Sequence, residues 1–220
     1  MATELVDKHL SLPAKLGLWL EMLLLFVGLP TLYYFRLMPV HFIVPMSLLS
    51  IGAVIYLYRH HGFNNRSFGL NGFQNWRSFL LAGTLYVAIS IAIVYWFFPE
   101  NLFIIVRERP QLWLLIMCFY PIFSALPQEI LFRGFFMQRY APLFEKQWQL
   151  IVVNGILFGL AHLMFGHWVS VILSAVGGFY LANQYLQHRS ILLSAILHGI
   201  LGNWIFTVGL GHFFYLAGGK

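Results

Sequence analysis

Long runs without a charged residue are the feature that most constrains this chain. A membrane-spanning helix needs about 20 consecutive apolar residues, and several uncharged stretches of the 220-residue chain reach that length. The stretch 147–188 is long enough for two spans, with a natural break at Gly166-His167-Trp168. The apolar runs that predict spans lie at about 16–35, 38–58, 78–99, 110–128, 147–166, 168–188 and 190–219, and the fourth span is expected to emerge near Arg139. The sequence therefore predicts an all-α polytopic transmembrane helix bundle of about seven spans.

Composition supports this class and argues against a nucleic-acid-binding protein. Charged residues make up 9% of the chain, whereas soluble domains carry about 25%. The net charge is +6, but no basic run interleaved with aromatic residues lies outside the spans, so nucleic acid is not an expected partner. The only cysteine, Cys118, lies in a predicted span, which excludes an intrachain disulfide and a cysteine-based metal site. The expected partners are the lipid bilayer and a membrane peptide or protein substrate, and the sequence indicates no oligomeric state.

The distribution of lysine and arginine predicts how the bundle is oriented. With alternating spans, the N-terminal side holds Lys8, Lys15, Arg59, Arg66, Arg77, Arg139, Lys146 and Arg189. The opposite side holds Arg36, Arg107, Arg109 and Lys220. Because cytoplasmic loops are enriched in these residues, we expect a cytoplasmic N-terminus. We interpret 1–220 as one membrane domain, with the N-terminal spans in 1–109 and the candidate chemistry in 110–217.

Three titratable side chains on three predicted spans fall at similar depths. At 1.5 Å per residue, Glu129, His162 and His198 lie about 15, 21 and 13 Å from the inner ends of their helices. Ionisable groups inside a membrane are costly and are functional by default. Glu129 and Arg133 are four residues apart, so they share a helix face and can pair. Taken singly, each group has a structural alternative, an ion pair or a packing histidine, but their convergence is what an acid–base site requires.

The order and spacing of these residues resemble a known family, the CAAX proteases and bacteriocin-processing enzymes (CPBP, or Abi, intramembrane proteases). The family motifs are Glu-Glu-x-x-x-Arg, Phe-x-x-x-His and His-x-x-x-Asn/Asp, in that order. The corresponding segments here are Gln128-Glu129-Ile-Leu-Phe-Arg133, Phe158-Gly-Leu-Ala-His162 and His198-Gly-Ile-Leu-Gly202-Asn203. The resemblance implies a CPBP-like catalytic core and a hydrolase that acts as a membrane protease. By analogy it also implies a location in the bacterial inner membrane.

The resemblance also implies roles for the matching residues. In the family, the first glutamate and the histidine of the second motif activate a water that attacks the scissile carbonyl. The last histidine and the asparagine help to stabilise the oxyanion, and the arginine holds the glutamates in place. Carried over, His162 would activate water, His198 would polarise the carbonyl or stabilise the oxyanion, and Arg133 would be the orienting cation.

One departure from the family pattern affects the base. Gln128 stands where the family has its first glutamate, and an amide cannot take a proton from water at neutral pH. Either Glu129 assumes the role of base, or the chain is a weakened or inactive relative. Glu129 is about 100° around the helix from Gln128, so the exchange needs a local rearrangement, which Pro121 and Pro127 favour because proline disturbs the preceding turn.

The second departure concerns the asparagine. Asn203 follows His198 by five residues and Gly202 occupies the family position, which leaves Asn203 about 140° away from His198 on a regular helix. A π-bulge near Gly199 or Gly202 would bring the two onto one face. Without a bulge, Asn203 is a polar group that packs between helices.

The leading hypothesis from the sequence is an intramembrane endopeptidase that needs no cofactor. Glu129 and His162 would share the water, and His198 would donate to the oxyanion. A zinc alternative uses Glu129, His162 and His198 as three ligands with water as the fourth, although no His-Glu-x-x-His helix favours it. Two other hypotheses remain open: a non-catalytic immunity or scaffold protein, and a small proton-coupled carrier. The sequence shows no inverted repeat, which argues against the carrier.

Overall fold

The computed structural model describes residues 10–60, 63, 67–69, 72–73 and 76–215. These residues form helices and turns without a β-strand, which confirms the predicted all-α fold. The long helices are α1 (Leu12–Tyr34), α2 (Ile43–Arg59), α3 (Trp76–Phe97), α4 (Pro110–Arg139), α5 (Gln147–Phe165), α6 (Trp168–His188) and α7 (Ile191–Val208). All except the 17-residue α2 are long and apolar enough to cross a membrane.

The helix ends agree with the sequence prediction at two places and differ at one. The predicted break is confirmed, because α5 ends at Phe165 and Gly166 adopts a left-handed conformation with φ of 77° before α6 begins. The uncharged run of the fourth span ends at Gln128, but the helix continues through Glu129 and Arg133 to Arg139, where the span was expected to emerge. The last span ends at Val208, and a short 3-10 turn, Gly211–Phe214, follows.

The orientation of the bundle stays a prediction. Of the basic residues that carry it, Lys8, Arg66 and Lys220 lie outside the described residues. The outer faces of the helices do carry large exposed apolar side chains, such as Leu48, Leu81 and Trp96. Soluble monomers rarely expose extensive apolar surface, so this surface and the long apolar helices make the chain an integral membrane protein.

Helix α4 departs from regular α-helical geometry on both sides of Glu129. It contains two π-helical segments, Pro121–Ala125 and Ile130–Phe135, which flank one α-helical turn, Leu126–Glu129. Proline has no N–H group to donate to the carbonyl four residues earlier, which for Pro121 is the carbonyl of Met117. Each π-helical segment shifts the angular register of the helix, so the direction of side chains along α4 does not follow a 100° step.

Asn203 of α7 supplies the donor that Pro121 lacks. Its Nδ2 donates to the carbonyl oxygen of Met117 at 3.1 Å. Helix α7 is α-helical from Ile191 to Val208, so the π-bulge that would have turned Asn203 towards His198 is not formed. Asn203 instead packs between α7 and α4, as the sequence predicted for a helix without a bulge.

Helix α4 lies between α7, which packs against its first π-helical segment, and α2, which packs against the second. Helices α5 and α6 form the most closely packed pair in the bundle, and glycine allows this approach. A Cβ atom on Gly178 would lie 2.9 Å from Cβ of Phe158 and 3.0 Å from Cα of Gly155. A Cβ atom on the neighbouring Gly177 would meet nothing within 4 Å.

We therefore expect Gly178→Ala to destabilise the protein by about 1–3 kcal/mol, because a backbone atom of α5 must move to admit the methyl group. Gly177→Ala is the matched control and should leave the unfolding midpoint unchanged or slightly raised, since alanine favours the helix. Thermal unfolding in detergent micelles measures both. Equal midpoints for the two variants would contradict this account of the α5–α6 contact.

Candidate active site

Glu129 and Arg133 form an ion pair that is completely removed from the surface. Nε of Arg133 lies 3.1 Å from Oε2 of Glu129, and both side chains are 0% exposed. The contact is an ion pair rather than a well-aligned hydrogen bond. Arg133 also donates from NH2 to the carbonyl of Gly178 at 3.3 Å, and its guanidinium lies 4.6 Å from the ring centre of Phe158. The arginine thus links α4 to α5 and α6.

His198 joins this ion pair to Tyr120. Its Nδ1 lies 2.8 Å from Oε1 of Glu129, and its Nε2 lies 3.0 Å from the hydroxyl oxygen of Tyr120. A carboxylate only accepts hydrogen bonds, so Nδ1 of His198 is the donor. Both ring nitrogens of His198 and both carboxylate oxygens of Glu129 therefore have protein partners.

A backbone carbonyl of its own helix holds His162 in one tautomer. Its Nδ1 lies 2.8 Å from the carbonyl oxygen of Phe158, and because a carbonyl only accepts, Nδ1 carries the hydrogen. In the neutral ring the lone pair is then on Nε2, which has no hydrogen-bond partner among the described residues. The ring of Phe158 contacts both imidazoles, with centroid distances of 5.0 Å to His162 and 5.4 Å to His198.

The arrangement differs from the expected pairing of Glu129 with His162. No hydrogen bond or ion pair joins these two residues, and Glu129 contacts His198 instead. Gln128 and His162 instead both line one cavity of about 690 Å³. Gln128 donates from Nε2 to the hydroxyl of Ser124 at 3.0 Å.

This cavity is mainly apolar and has a few polar side chains in its wall. Helices α1, α2, α4 and α5 contribute most of the apolar lining, including Phe26, Leu49 and Phe119. Its polar side chains are those of Tyr33, Tyr120, Ser124, Gln128 and His162. Among the described residues, no carboxylate lines the cavity. Glu129 is therefore behind the wall, and Gln128 is part of it.

Those side chains around Glu129 that the structure describes do not form a metal site. The described part of the chain contains no group of three or more His, Cys, Asp or Glu side chains that could hold a metal ion. Of the three ligands in the zinc alternative, Glu129 already pairs with Arg133 and His198, and an adjacent buried cation opposes a second positive charge. The side chains as arranged do not fit zinc.

Sequence reasoning missed two residues that belong to the site. Tyr120 was read only as part of an apolar span, although its hydroxyl contacts His198. Asn154 is fully buried and donates from Nδ2 to the carbonyl of Phe132 at 2.9 Å. Asn154, Phe158 and His162 recur every four residues in the sequence, and this spacing on one helix face was a signal that could have identified Asn154.

A second ion pair lies at the end of α4, where Arg139 meets Glu21 of α1. Nε of Arg139 donates to Oε1 of Glu21 at 3.1 Å, and its NH2 group donates to Oε2 at 2.7 Å. The hydroxyl of Tyr140 also donates to Oε1, at 3.0 Å. The two charged side chains are 35% and 33% exposed. Glu21 thus anchors α1 to α4 and is separate from the cavity.

The fold and the site together define a class: an integral membrane helix bundle with a buried Glu–Arg–His network beside an apolar cavity. Residues 110–205 match a family model described as type II CAAX prenyl endopeptidase Rce1-like. The match confirms the resemblance to the CPBP (CAAX protease) family, and the matched segment contains Gln128, Glu129, Arg133 and both site histidines. No curated protein and no solved structure matches the chain. At the level of general class, this match supports an intramembrane endopeptidase of the CAAX type.

The two ion pairs of α4 provide a test of the buried network. Arg133→Met leaves Glu129 charged and without its cation, so we expect a loss of roughly 3–5 kcal/mol in unfolding free energy. Arg139→Met removes the matching partner from the partly exposed pair and should cost about 0–1 kcal/mol. Chemical unfolding in mixed micelles compares the two. Similar losses in both variants would show that burial does not distinguish these pairs.

Proposed function

We propose that this chain is an intramembrane endopeptidase that hydrolyses a peptide bond of a membrane-associated or lipidated peptide. The observation that carries the proposal is the position of His162 and Gln128 together in the wall of one apolar cavity. Nε2 of His162 has no hydrogen-bond partner in the part of the chain that the structure describes, and Glu129, Arg133 and His198 form a buried network nearby. The family match over this segment supports the same reaction class.

In the proposed reaction, Gln128 binds the water through its amide and His162 removes a proton from it. The proton passes to Nε2 of His162 while the water oxygen attacks the scissile carbonyl carbon, which gives a tetrahedral oxyanion. The carbon–nitrogen bond then breaks, and the leaving nitrogen takes the proton back from His162. Proton transfers balance over the two steps, and the enzyme returns to its starting state.

Glu129 acts in this proposal as a positioning residue and not as the base. Its carboxylate is turned away from the cavity and holds His198 through Nδ1. The carboxylate beside Nδ1 fixes the orientation of the imidazole and polarises its N–H groups, and this favours the developing oxyanion. Arg133 balances the carboxylate, so that the network can stay ionised where water is scarce.

The cavity suits a substrate with an apolar group. Its volume of about 690 Å³ lies within the usual range for small-molecule sites, about 300–1,000 Å³. Its wall is mainly aliphatic and aromatic, with a few polar groups near the candidate chemistry, so a hydrocarbon chain attached to the peptide would be buried there. The family description names prenyl endopeptidases, and we propose a lipidated cysteine peptide as the first substrate to test. The proposed location is a bacterial cytoplasmic membrane.

A second candidate function is binding of the same peptide without turnover, as in an immunity or scaffold protein. The observation that favours it is the amide of Gln128 in the cavity wall, where the family motif has a carboxylate. An amide can hold a water but cannot accept its proton. The two candidates therefore differ in one measurable property, which is cleavage that depends on His162.

We expect His162→Ala to abolish cleavage of an internally quenched peptide that ends in a farnesylated cysteine and three further residues. Loss of a general base lowers kcat by about 10²- to 10⁴-fold. The assay uses the full chain in proteoliposomes, with the unprenylated peptide in parallel. His167→Ala is the matched control, because His167 lies five residues further on and does not line the cavity.

A comparison of membrane peptides from cells with wild type and with His162→Ala extends the assay to other substrates. New termini that depend on His162 support the peptidase. Binding of the farnesylated peptide with no His162-dependent cleavage in either assay would favour the non-catalytic candidate. Proton or solute flux in liposomes without peptide would instead favour a carrier.

We expect Gln128→Glu to raise kcat by at least about tenfold, because it places a proton-accepting carboxylate in the wall of the cavity that His162 also lines. Gln138→Glu is the control on the same helix, since Gln138 does not line the cavity and its amide instead contacts the carbonyl of His60. Initial rates over a range of peptide concentrations separate kcat from KM. Unchanged or lower kcat in Gln128→Glu, with a folded protein, would contradict a water site at this position.

A further inference from the structure

Tyr120 has a set of contacts that its position in an apolar span does not explain. Its hydroxyl oxygen lies 3.0 Å from Nε2 of His198, and its ring packs against Phe206, with the centroids 5.5 Å apart. It also lines the cavity that holds Gln128 and His162, whereas His198 does not. The part of the buried network that reaches the cavity is therefore the phenol of Tyr120.

Tyr120 fills the space that a side chain at position 202 of α7 would otherwise occupy. A Cβ atom on Gly202 would overlap the ring and the hydroxyl of Tyr120. Gly202 is one helical turn after His198, so a side chain there would lie on the same face as His198. The family motif has asparagine or aspartate at this position. In this chain the nearest asparagine is Asn203, whose amide instead donates to the carbonyl of Met117. The Tyr120 hydroxyl stands where the missing amide would be.

Tyr120 reaches this place because of the local geometry of α4. It is the last residue before the π-helical segment Pro121–Ala125. Gly199 lies against Pro121, where an added Cβ would be 3.0 Å from the proline Cβ, so α4 and α7 approach closely at this point. Two glycines on α7 thus make room for Pro121 and for the ring of Tyr120.

We infer that Tyr120 is the hydrogen-bond donor that stabilises the oxyanion, and that His198 acts through it. When both ring nitrogens of His198 carry hydrogens, Nδ1 donates to Glu129 and Nε2 donates to the oxygen of Tyr120. The phenol hydrogen is then free to point into the cavity. A chain of hydrogen bonds runs from Glu129 through His198 and Tyr120 to the carbonyl oxygen, and each bond polarises the next. This inference rests on the proposed peptidase function.

Tyr120→Phe tests the inference because it removes the hydroxyl and keeps the ring. Loss of one oxyanion donor lowers kcat by about 10²- to 10³-fold, and we expect KM for the farnesylated peptide to change little. Tyr86→Phe is the matched control, since Tyr86 donates to the carbonyl of Leu201 at 3.1 Å and lies outside the main cavity. Retention of wild-type kcat in Tyr120→Phe, alongside cleavage that still requires His162, would overturn the role of Tyr120 and leave the peptidase function intact.

The shared space offers a rescue experiment. Tyr120→Ala removes the donor and should be inactive, and Gly202→Asn in that background places an amide in the vacated space. We expect the double variant to recover at least about tenfold in kcat over Tyr120→Ala, because a side-chain amide donates to an oxyanion as a phenol does. Gly202→Asn alone should be inactive, since its side chain overlaps Tyr120. No recovery in a folded double variant would contradict the equivalence of the two positions.

A binding measurement keeps the inference testable without turnover. The probe is the same farnesylated peptide with a phosphonamidate in place of the scissile amide, which carries the tetrahedral oxyanion. We expect wild type to bind it at least about tenfold more tightly than the parent peptide, because the site is complementary to the transition state. Tyr120→Phe should lose that preference. Absence of the preference in wild type, or its persistence in Tyr120→Phe, would overturn the inference even if no peptide is cleaved.

Discussion

The contact between Glu129 and Arg133 is the interaction on which the rest of the site depends. Two opposite charges with no exposed surface are stable inside a membrane protein only when each satisfies the other. The pair does more than neutralise itself, because Arg133 also contacts Gly178 and Phe158 while Glu129 holds His198. Four helices, α4 to α7, are thereby joined at one point, and the ring of Phe158 contacts both histidines.

Gln128 and Glu129 lie on the α-helical turn Leu126–Glu129 between the two π-helical segments of α4. Neighbouring residues on such a turn are about 100° apart, so Glu129 is buried in the bundle while Gln128 lines the cavity. Neighbouring residues in the sequence therefore have different tasks, one as an internal anchor and one in the cavity wall. Replacement of the first glutamate of the motif by Gln128 changes the wall of the cavity. It leaves the contacts of Glu129 with Arg133 and His198 in place.

Much of the fold could be predicted because uncharged apolar length is a strong signal. The positions of α3, α5 and α6 and the break at Gly166 follow from it. The uncharged run of α4 stops at Gln128, yet the helix continues to its expected end at Arg139, because Glu129 and Arg133 form a neutral pair in the structure. The contacts of the site were harder to predict, because a regular step of about 100° per residue cannot represent a helix with two π-helical segments. Tyr120 was missed for a related reason: its contact with His198 depends on Gly202 of another helix having no side chain.

Asn203 illustrates how a backbone defect in one helix can be repaired by a side chain of another. Pro121 frees the carbonyl of Met117, and the amide of Asn203 restores its hydrogen bond. The two positions are far apart in the sequence but depend on each other. In evolution they should vary together, because a relative with an ordinary residue in place of Pro121 would have no orphaned carbonyl, and an apolar residue could then replace Asn203 without penalty.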